Sequence, residues 1–195
     1  MLFAVFAVVL LFGNSHLLDL KNGDEKQNIV ESKRDVSSIF TLTQATLLSQ
    51  FGNDTNAAVE LSLVNKGIEA IEQTAFNGFR ELILLNLRGN QIESLADFVF
   101  NDLVNLEELN LMQNKLTALS RQNLLGLASL KRLVLESNRL VRIDSFTFVG
   151  LTKLEGVYLF SNPIVALFPE NLTPLCKSNS KCSLTTDRPY GKRQV

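Results

Sequence analysis

Leu106-Glu107-Glu108-Leu109-Asn110-Leu111-Met112-Gln113-Asn114-Lys115-Leu116, with Leu119 just beyond, is the stretch that decides the fold. It reads LxxLxLxxNxLxxL. Leu109 and Leu111 alternate as in a short strand, so they share one face while Asn110 and Met112 point to the other. The pattern returns every 24 residues. Upstream it is Leu82, Leu85, Leu87, Asn90, Ile92 and Leu95. Downstream it is Leu130, Leu133, Leu135, Asn138, Leu140 and Ile143, then Leu154, Val157, Leu159, Asn162, Ile164 and Leu167. A weaker first copy is Ala58, Leu61, Leu63, Ile68 and Ile71, with Lys66 in the place of the asparagine. The spacers keep the same time. Phe76, Phe100, Leu124, Phe148 and Leu172 share one phase, and Phe79, Leu103, Leu127, Leu151 and Leu175 share another.

One such unit cannot fold alone. Burying its apolar side chains is worth roughly 10–20 kcal/mol at ~1.5–3 each, while fixing the backbone of ~24 residues costs roughly 24–48 kcal/mol. Stacking supplies the difference, because each strand pairs with its neighbours and the apolar faces merge into one core. The asparagines have a structural task in such a stack. Where the chain leaves each strand, backbone groups lose their ladder partners and must find others. An amide carries two donors and an acceptor, so Asn90, Asn114, Asn138 and Asn162 are expected to form a ladder between adjoining turns rather than a ligand site. Lys66 departs from the pattern, which predicts a looser first turn with Asn65 or a water substituting.

The chain resembles the leucine-rich repeat family, in the 24-residue form common in extracellular proteins. The resemblance implies an α/β solenoid: a horseshoe with short parallel strands on its concave face and irregular or short helical turns on its convex face. Residues 57–175 are then the repeats, about five in number. The motif specifies fold and says little about partner.

Residues 1–15 are expected to be a signal peptide. The run from Leu2 to Phe12 is wholly apolar and is followed by Gly13, Asn14 and Ser15, with cleavage before His16. It is too short to span a bilayer, which takes ~20 apolar residues. A buried N-terminal strand or helix is the plainer alternative. Residues 16–35 read as a flexible polar linker, in which Lys33-Arg34 is either a dibasic processing site or a solvated pair. Residues 36–56 turn apolar and are expected to cap the open core, with Ile39 in strand phase and Thr43 to Phe51 at helical spacing. Unlike many extracellular relatives, this cap has no cysteine.

Asn53-Asp54-Thr55 and Asn171-Leu172-Thr173 are N-glycosylation acceptor sites. Residues 176–195 are expected to be a short cap and polar tail, because Pro169 and Pro174 break the pattern and Ser178 stands where a leucine belongs. Cys176 and Cys182, the only cysteines, are expected to pair in an oxidising compartment, and a loop this short gains about 2–3 kcal/mol from the bond. A metal site is the rival reading, but two thiolates with no nearby histidine make a poor zinc site. Tyr190-Gly191-Lys192-Arg193 matches a prohormone processing signal and also ordinary polar tails. No apolar segment follows it, so neither a membrane span nor a glycolipid anchor is expected.

Lys and Arg number 19 against 20 Asp and Glu, which gives no electrostatic case for nucleic acid or an anionic membrane. The one histidine is His16, and no nucleophile, base and metal set comes together, so no enzyme and no cofactor is expected. What remains is a surface. The outward strand positions form columns: Glu60, Leu84, Glu108, Arg132, Gly156; then Ser62, Asn86, Asn110, Val134, Tyr158; then Val64, Arg88, Met112, Glu136, Phe160. Asn86, Arg88, Asn110, Met112, Arg132, Glu136, Tyr158 and Phe160 are the residues expected to contact a protein partner, since Arg, Met, Tyr and Phe are enriched at interfaces. The plainer reading is solvated surface, with Tyr158 and Phe160 packed under the C-terminal cap. Resemblance to small secreted members implies extracellular recognition or innate immunity. A structural subunit or soluble decoy related to a receptor ectodomain, and an intracellular adaptor, are the alternatives.

Overall fold

A computed structural model describes residues 8–10, 40–51, 55, 58–143, 146–165 and 183–185. In chain order these form β1 (Val8–Leu10), β2 (Thr41–Leu42), α1 (Gln44–Phe51), β3 (Glu60–Ser62), β4 (Ala70–Ile71), β5 (Leu84–Asn86), β6 (Glu108–Asn110), β7 (Ala118–Leu119), β8 (Arg132–Val134), β9 (Arg142–Ile143), β10 (Gly156–Tyr158) and β11 (Ser183–Thr185). One parallel sheet runs in the order β1-β3-β5-β6-β8-β10-β11, and β2–β4 and β7–β9 make small parallel pairs on the return path of the coils. From β3 to β10 the register never slips: Leu61 pairs with Leu85, Leu85 with Leu109, Leu109 with Leu133 and Leu133 with Val157. All five are buried. A slip of one residue would turn every one of these side chains to solvent, which is what pins the register.

The solenoid with short parallel strands is therefore present, and its five 24-spaced strands bound four full turns. The opposite side is built of turns, with a short 3-10 segment at Gln122–Leu124. Its spacers fill the core from that side: Phe76, Phe79, Phe100 and Phe148 are buried, with the Phe76 and Phe100 rings 5.8 Å apart.

The asparagine of each coil reaches back to the coil before it. Asn90 Oδ1 accepts from the Lys66 and Ile68 N–H groups at 3.0 and 3.1 Å, while its Nδ2 donates to the Leu63 and Leu87 carbonyls at 2.8 and 2.7 Å. Asn114, Asn138 and Asn162 repeat the arrangement on Ile92, Leu116 and Leu140 N–H. The N–H groups of the turn at Lys66 are thus served by Asn90 from the next coil.

The residue just before this column is left-handed in every coil. Asn65, Gly89, Gln113, Ser137 and Ser161 have φ of 56°, 72°, 57°, 56° and 57°. That conformation swings the chain out of the strand so that the next side chain can point inward. Gly89 adopts it without steric cost and Asn65 tolerates it, while for Gln113, Ser137 and Ser161 it is unfavourable by roughly 1–2 kcal/mol each.

The N-terminal cap follows the apolar pattern in part. Thr43 Oγ1 accepts the Thr46 N–H at 3.1 Å and so caps α1, and Leu42 and Leu47 are wholly buried against the first coil. The edge of β3, however, is taken by β1, with Val8 opposite Glu60 and Leu10 opposite Ser62. β1 lies in the run read as a leader. At the other end, β11 pairs with β10, Gly156 opposite Ser183. The step from 156 to 183 is 27 residues rather than 24, so the sheet gains a strand beyond residue 175, where the repeat pattern stops. Ile39, the linker, the acceptor asparagines Asn53 and Asn171, the spacers Leu172 and Leu175, Cys176, Cys182, the rest of the leader with His16, and the C-terminal tail lie outside the described residues.

Candidate interaction surface

Strand pairing aligns the outward columns as the periodicity predicts. Glu60, Leu84, Glu108, Arg132 and Gly156 are mutual register partners, and so are Ser62, Asn86, Asn110, Val134 and Tyr158. The third column continues through backbone bonds from Gly89 N–H to Met112 O, Gln113 N–H to Glu136 O and Ser137 N–H to Phe160 O. The eight expected contact residues therefore lie on one continuous face, with strands ~4.8 Å apart.

They do not have equal freedom. Asn86 Oδ1 accepts the Arg88 N–H at 3.1 Å and Asn110 Oδ1 accepts the Met112 N–H at 3.0 Å, so both amides finish their own strand ends. Arg88 is exposed and donates through Nε to Gln113 Oε1 at 3.0 Å. Met112 and Glu136 are half-buried. Phe160 is exposed, at 39 % of its full area.

The C-terminal half of the face brings a charged pair and an aromatic ring together. Arg132 forms an ion pair with Glu108, Nε to Oε2 3.8 Å, and its guanidinium carbon lies 5.5 Å from the centre of the Tyr158 ring. Such a contact is worth ~0.5–1 kcal/mol where exposed. The ring is folded back along its own strand over Gly156: a methyl group there would sit 3.0 Å from Tyr158 Cε2 and 3.1 Å from its hydroxyl oxygen. Tyr158 thus packs on β10 itself and also meets the arginine of the neighbouring strand.

Gly156 and the buried Val134 belong to this site and were not singled out by residue type alone. The signal for Gly156 was a glycine in a column of side chains, two residues before a tyrosine. Away from this face, Phe98 and Phe146 are exposed on the turns between strands. A further amide, Asn123, is buried there: its Oδ1 accepts the Ser120 N–H at 2.8 Å and its Nδ2 donates to Leu95 O at 2.9 Å. Among the described residues, no group of three or more His, Cys, Asp or Glu is placed to hold a metal, and no helix is long and apolar enough to cross a membrane.

The family model for leucine rich repeats matches residues 58–116, 85–140 and 104–164, together more than half of the 195-residue chain. This chain is a leucine-rich repeat protein. Its fold is similar to the TLR13–ssRNA13 complex structure, with 26% identity and a TM-score of 0.60, over 67% of this chain and 18% of that one. It is also similar to the receptor chain of the Drosophila Toll–Spatzle complex in its glycosylated form, with 32% identity and a TM-score of 0.52, over 53% of this chain and 14% of that one. The leucine-rich repeat protein thus spans less than a fifth of either matched chain. Among curated proteins, none matches it significantly.

Proposed function

We propose that this chain is a secreted leucine-rich repeat protein that binds a protein partner through its concave face, in extracellular recognition or innate immunity. The observation that carries the reading is the set of side chains held on that face but not needed by the core: Arg88, Met112, Arg132, Tyr158 and Phe160, aligned by the register of β5 to β10. Arginine and large aromatic or thioether side chains at such positions are what interface centres use. Likeness to Toll, whose complex with Spatzle is described as a hub of development and innate immunity, supports the extracellular setting. The apolar run from Leu2 to Phe12 and the two glycosylation acceptor sites support it further, and on this reading cleavage before His16 removes β1 and leaves β3 at the edge of the sheet. TLR13 is seen with single-stranded RNA, but here the outward columns carry Glu60, Glu108 and Glu136 against Arg88 and Arg132, a balance that disfavours a phosphate chain. Binding is the activity proposed for this face.

The test uses a photo-crosslinking residue at Met112 in one variant and at Gln122 on the opposite side in another, each exposed to the fluid from which the protein is recovered. Cross-linking to a discrete protein from position 112, lost in Tyr158→Ala/Phe160→Ala with an unchanged melting temperature, is the expected outcome. Cross-links from position 122 alone would refute the concave-face reading. A large fall in melting temperature on the double substitution would assign the two rings to packing. Mass spectrometry of the protein from culture medium checks secretion: cleavage near His16, glycan on Asn53 and two fewer hydrogens at Cys176 and Cys182 are expected. An unprocessed, reduced, intracellular product would remove that part of the proposal.

A further inference from the structure

We infer that Arg132 is the anchor of this face for a carboxylate on the protein partner, and that Gly156 is the residue that positions it. The inference rests on the concave-face reading and specifies its chemistry.

Gly156 has no backbone reason to be glycine. It is not among the residues with positive φ, and it lies within a regular strand. Its four register partners in the column, Glu60, Leu84, Glu108 and Arg132, all carry side chains. What the missing Cβ admits is the Tyr158 ring, whose Cε2, Cζ and hydroxyl oxygen lie 3.0–3.2 Å from where that carbon would stand, and Gly156 is buried. An alanine would make the ring give by a few tenths of an ångström. A valine, which suits a strand, would displace it. The Arg132 guanidinium carbon lies over the same ring, 5.5 Å from its centre, and Glu108 forms an ion pair with that group from the neighbouring strand.

The arginine so held is not used up. Glu108 lies 3.8 Å away at Nε, too far for the paired hydrogen bonds that a carboxylate makes with the guanidinium fork, and the Arg132 side chain keeps 53% of its exposure. Among the described residues it has no second ion pair. A planar fork fixed on an aromatic face loses little further freedom on binding. Val134, two residues along the same strand, is buried next to it on this face and supplies an apolar flank for such an anchor. The complementary group is an Asp or Glu side chain flanked by apolar residues. Glu108 sets the orientation at the expense of some repulsion toward that group.

A random peptide display library is selected on the immobilised full chain, and recovered peptides are synthesised and their affinities measured. Expected are acidic peptides that weaken about tenfold or more when their Asp or Glu becomes Asn or Gln, and equally on Arg132→Met, Tyr158→Ala and Gly156→Val. Glu108→Gln should tighten them. Independently of any peptide, the Arg132 side-chain protons should be shifted upfield by the ring in NMR spectra, and that shift should vanish in Gly156→Val and Tyr158→Ala at a retained melting temperature. Peptides indifferent to Arg132→Met, recovery of basic peptides that Glu108→Gln weakens, or the absence of acidic peptides overturns the inference. So does an Arg132-dependent complex with a single-stranded RNA oligonucleotide. A variant carrying Asn86→Trp and Asn110→Trp separates the two claims. If the selected peptides still bind it, the concave-face reading itself fails; if they do not bind it yet ignore Arg132→Met, only the anchor fails.

Discussion

The amide ladder makes a prediction about coupling. The Leu87 carbonyl accepts from Asn90 Nδ2 at 2.7 Å and from Asn114 Nδ2 at 3.0 Å, and no backbone N–H among the described residues bonds to it. Asn114→Ala leaves the buried Ile92 N–H without its partner, a loss of ~1–3 kcal/mol, and removes two bonds whose net value is ~0.5–1.5 kcal/mol each. The Leu87 and Leu111 carbonyls nonetheless keep the amides of Asn90 and Asn138. The single substitution should therefore destabilise by about 2–6 kcal/mol. Asn90→Ala should cost at least as much, because its Oδ1 accepts both the Lys66 and Ile68 N–H groups, while Leu87 is still served by Asn114. In the double variant that carbonyl has neither partner, which adds a buried unsatisfied acceptor. The pair should exceed the sum of the singles by about 1–2 kcal/mol. Asn90 and Asn138 share no acceptor and lie two coils apart, ~10 Å, so their cycle should close to within ~0.5 kcal/mol. Urea unfolding followed by circular dichroism, with m held constant across variants, measures both cycles. If the Asn90/Asn114 cycle closes as tightly as the control, the shared carbonyl contributes nothing and the account of the ladder is wrong.

Other positions give simpler expectations, all measured by the same unfolding assay. Leu109→Ala, in the fully buried central column, should destabilise by about 2–5 kcal/mol. Gly126→Ala combines φ of +94° with a methyl placed 2.5 Å from Asn101 Cα, and should destabilise by about 2–4 kcal/mol. Ser137→Gly should stabilise by about 0.5 kcal/mol, because relief of a left-handed residue (~1–2 kcal/mol) exceeds the added entropy of the unfolded chain (~0.5–1 kcal/mol). Lys131→Ala should move stability by less than ~1 kcal/mol, since its 2.7 Å pair with Glu107 is about 40% exposed on both sides.

The solenoid was legible because its signal is redundant. The leucine columns, the asparagines and the spacer aromatics all keep one period, and each is fixed by burial. The left-handed column was not legible, since Asn65, Gly89, Gln113, Ser137 and Ser161 share a backbone angle and no side-chain chemistry. The two end strands escaped for another reason. β1 and β11 pair at intervals that break the 24-residue step, so periodicity says nothing of them. On the concave face, composition could name Arg132 and Tyr158 as interface types. It could not show that the tyrosine ring lies against a glycine two residues away and under the arginine, because that contact depends on a rotamer and not on a pattern.

The backward reach of each ladder amide gives the stack a polarity in time. On a ribosome, where the N-terminal side emerges first, a newly exposed coil has its strand but not the amide that ties its turn; that amide arrives only with the following coil. Every addition secures its predecessor and leaves itself unlatched. A chain stopped part-way through synthesis would thus always present one loose coil, at its growing end and nowhere else.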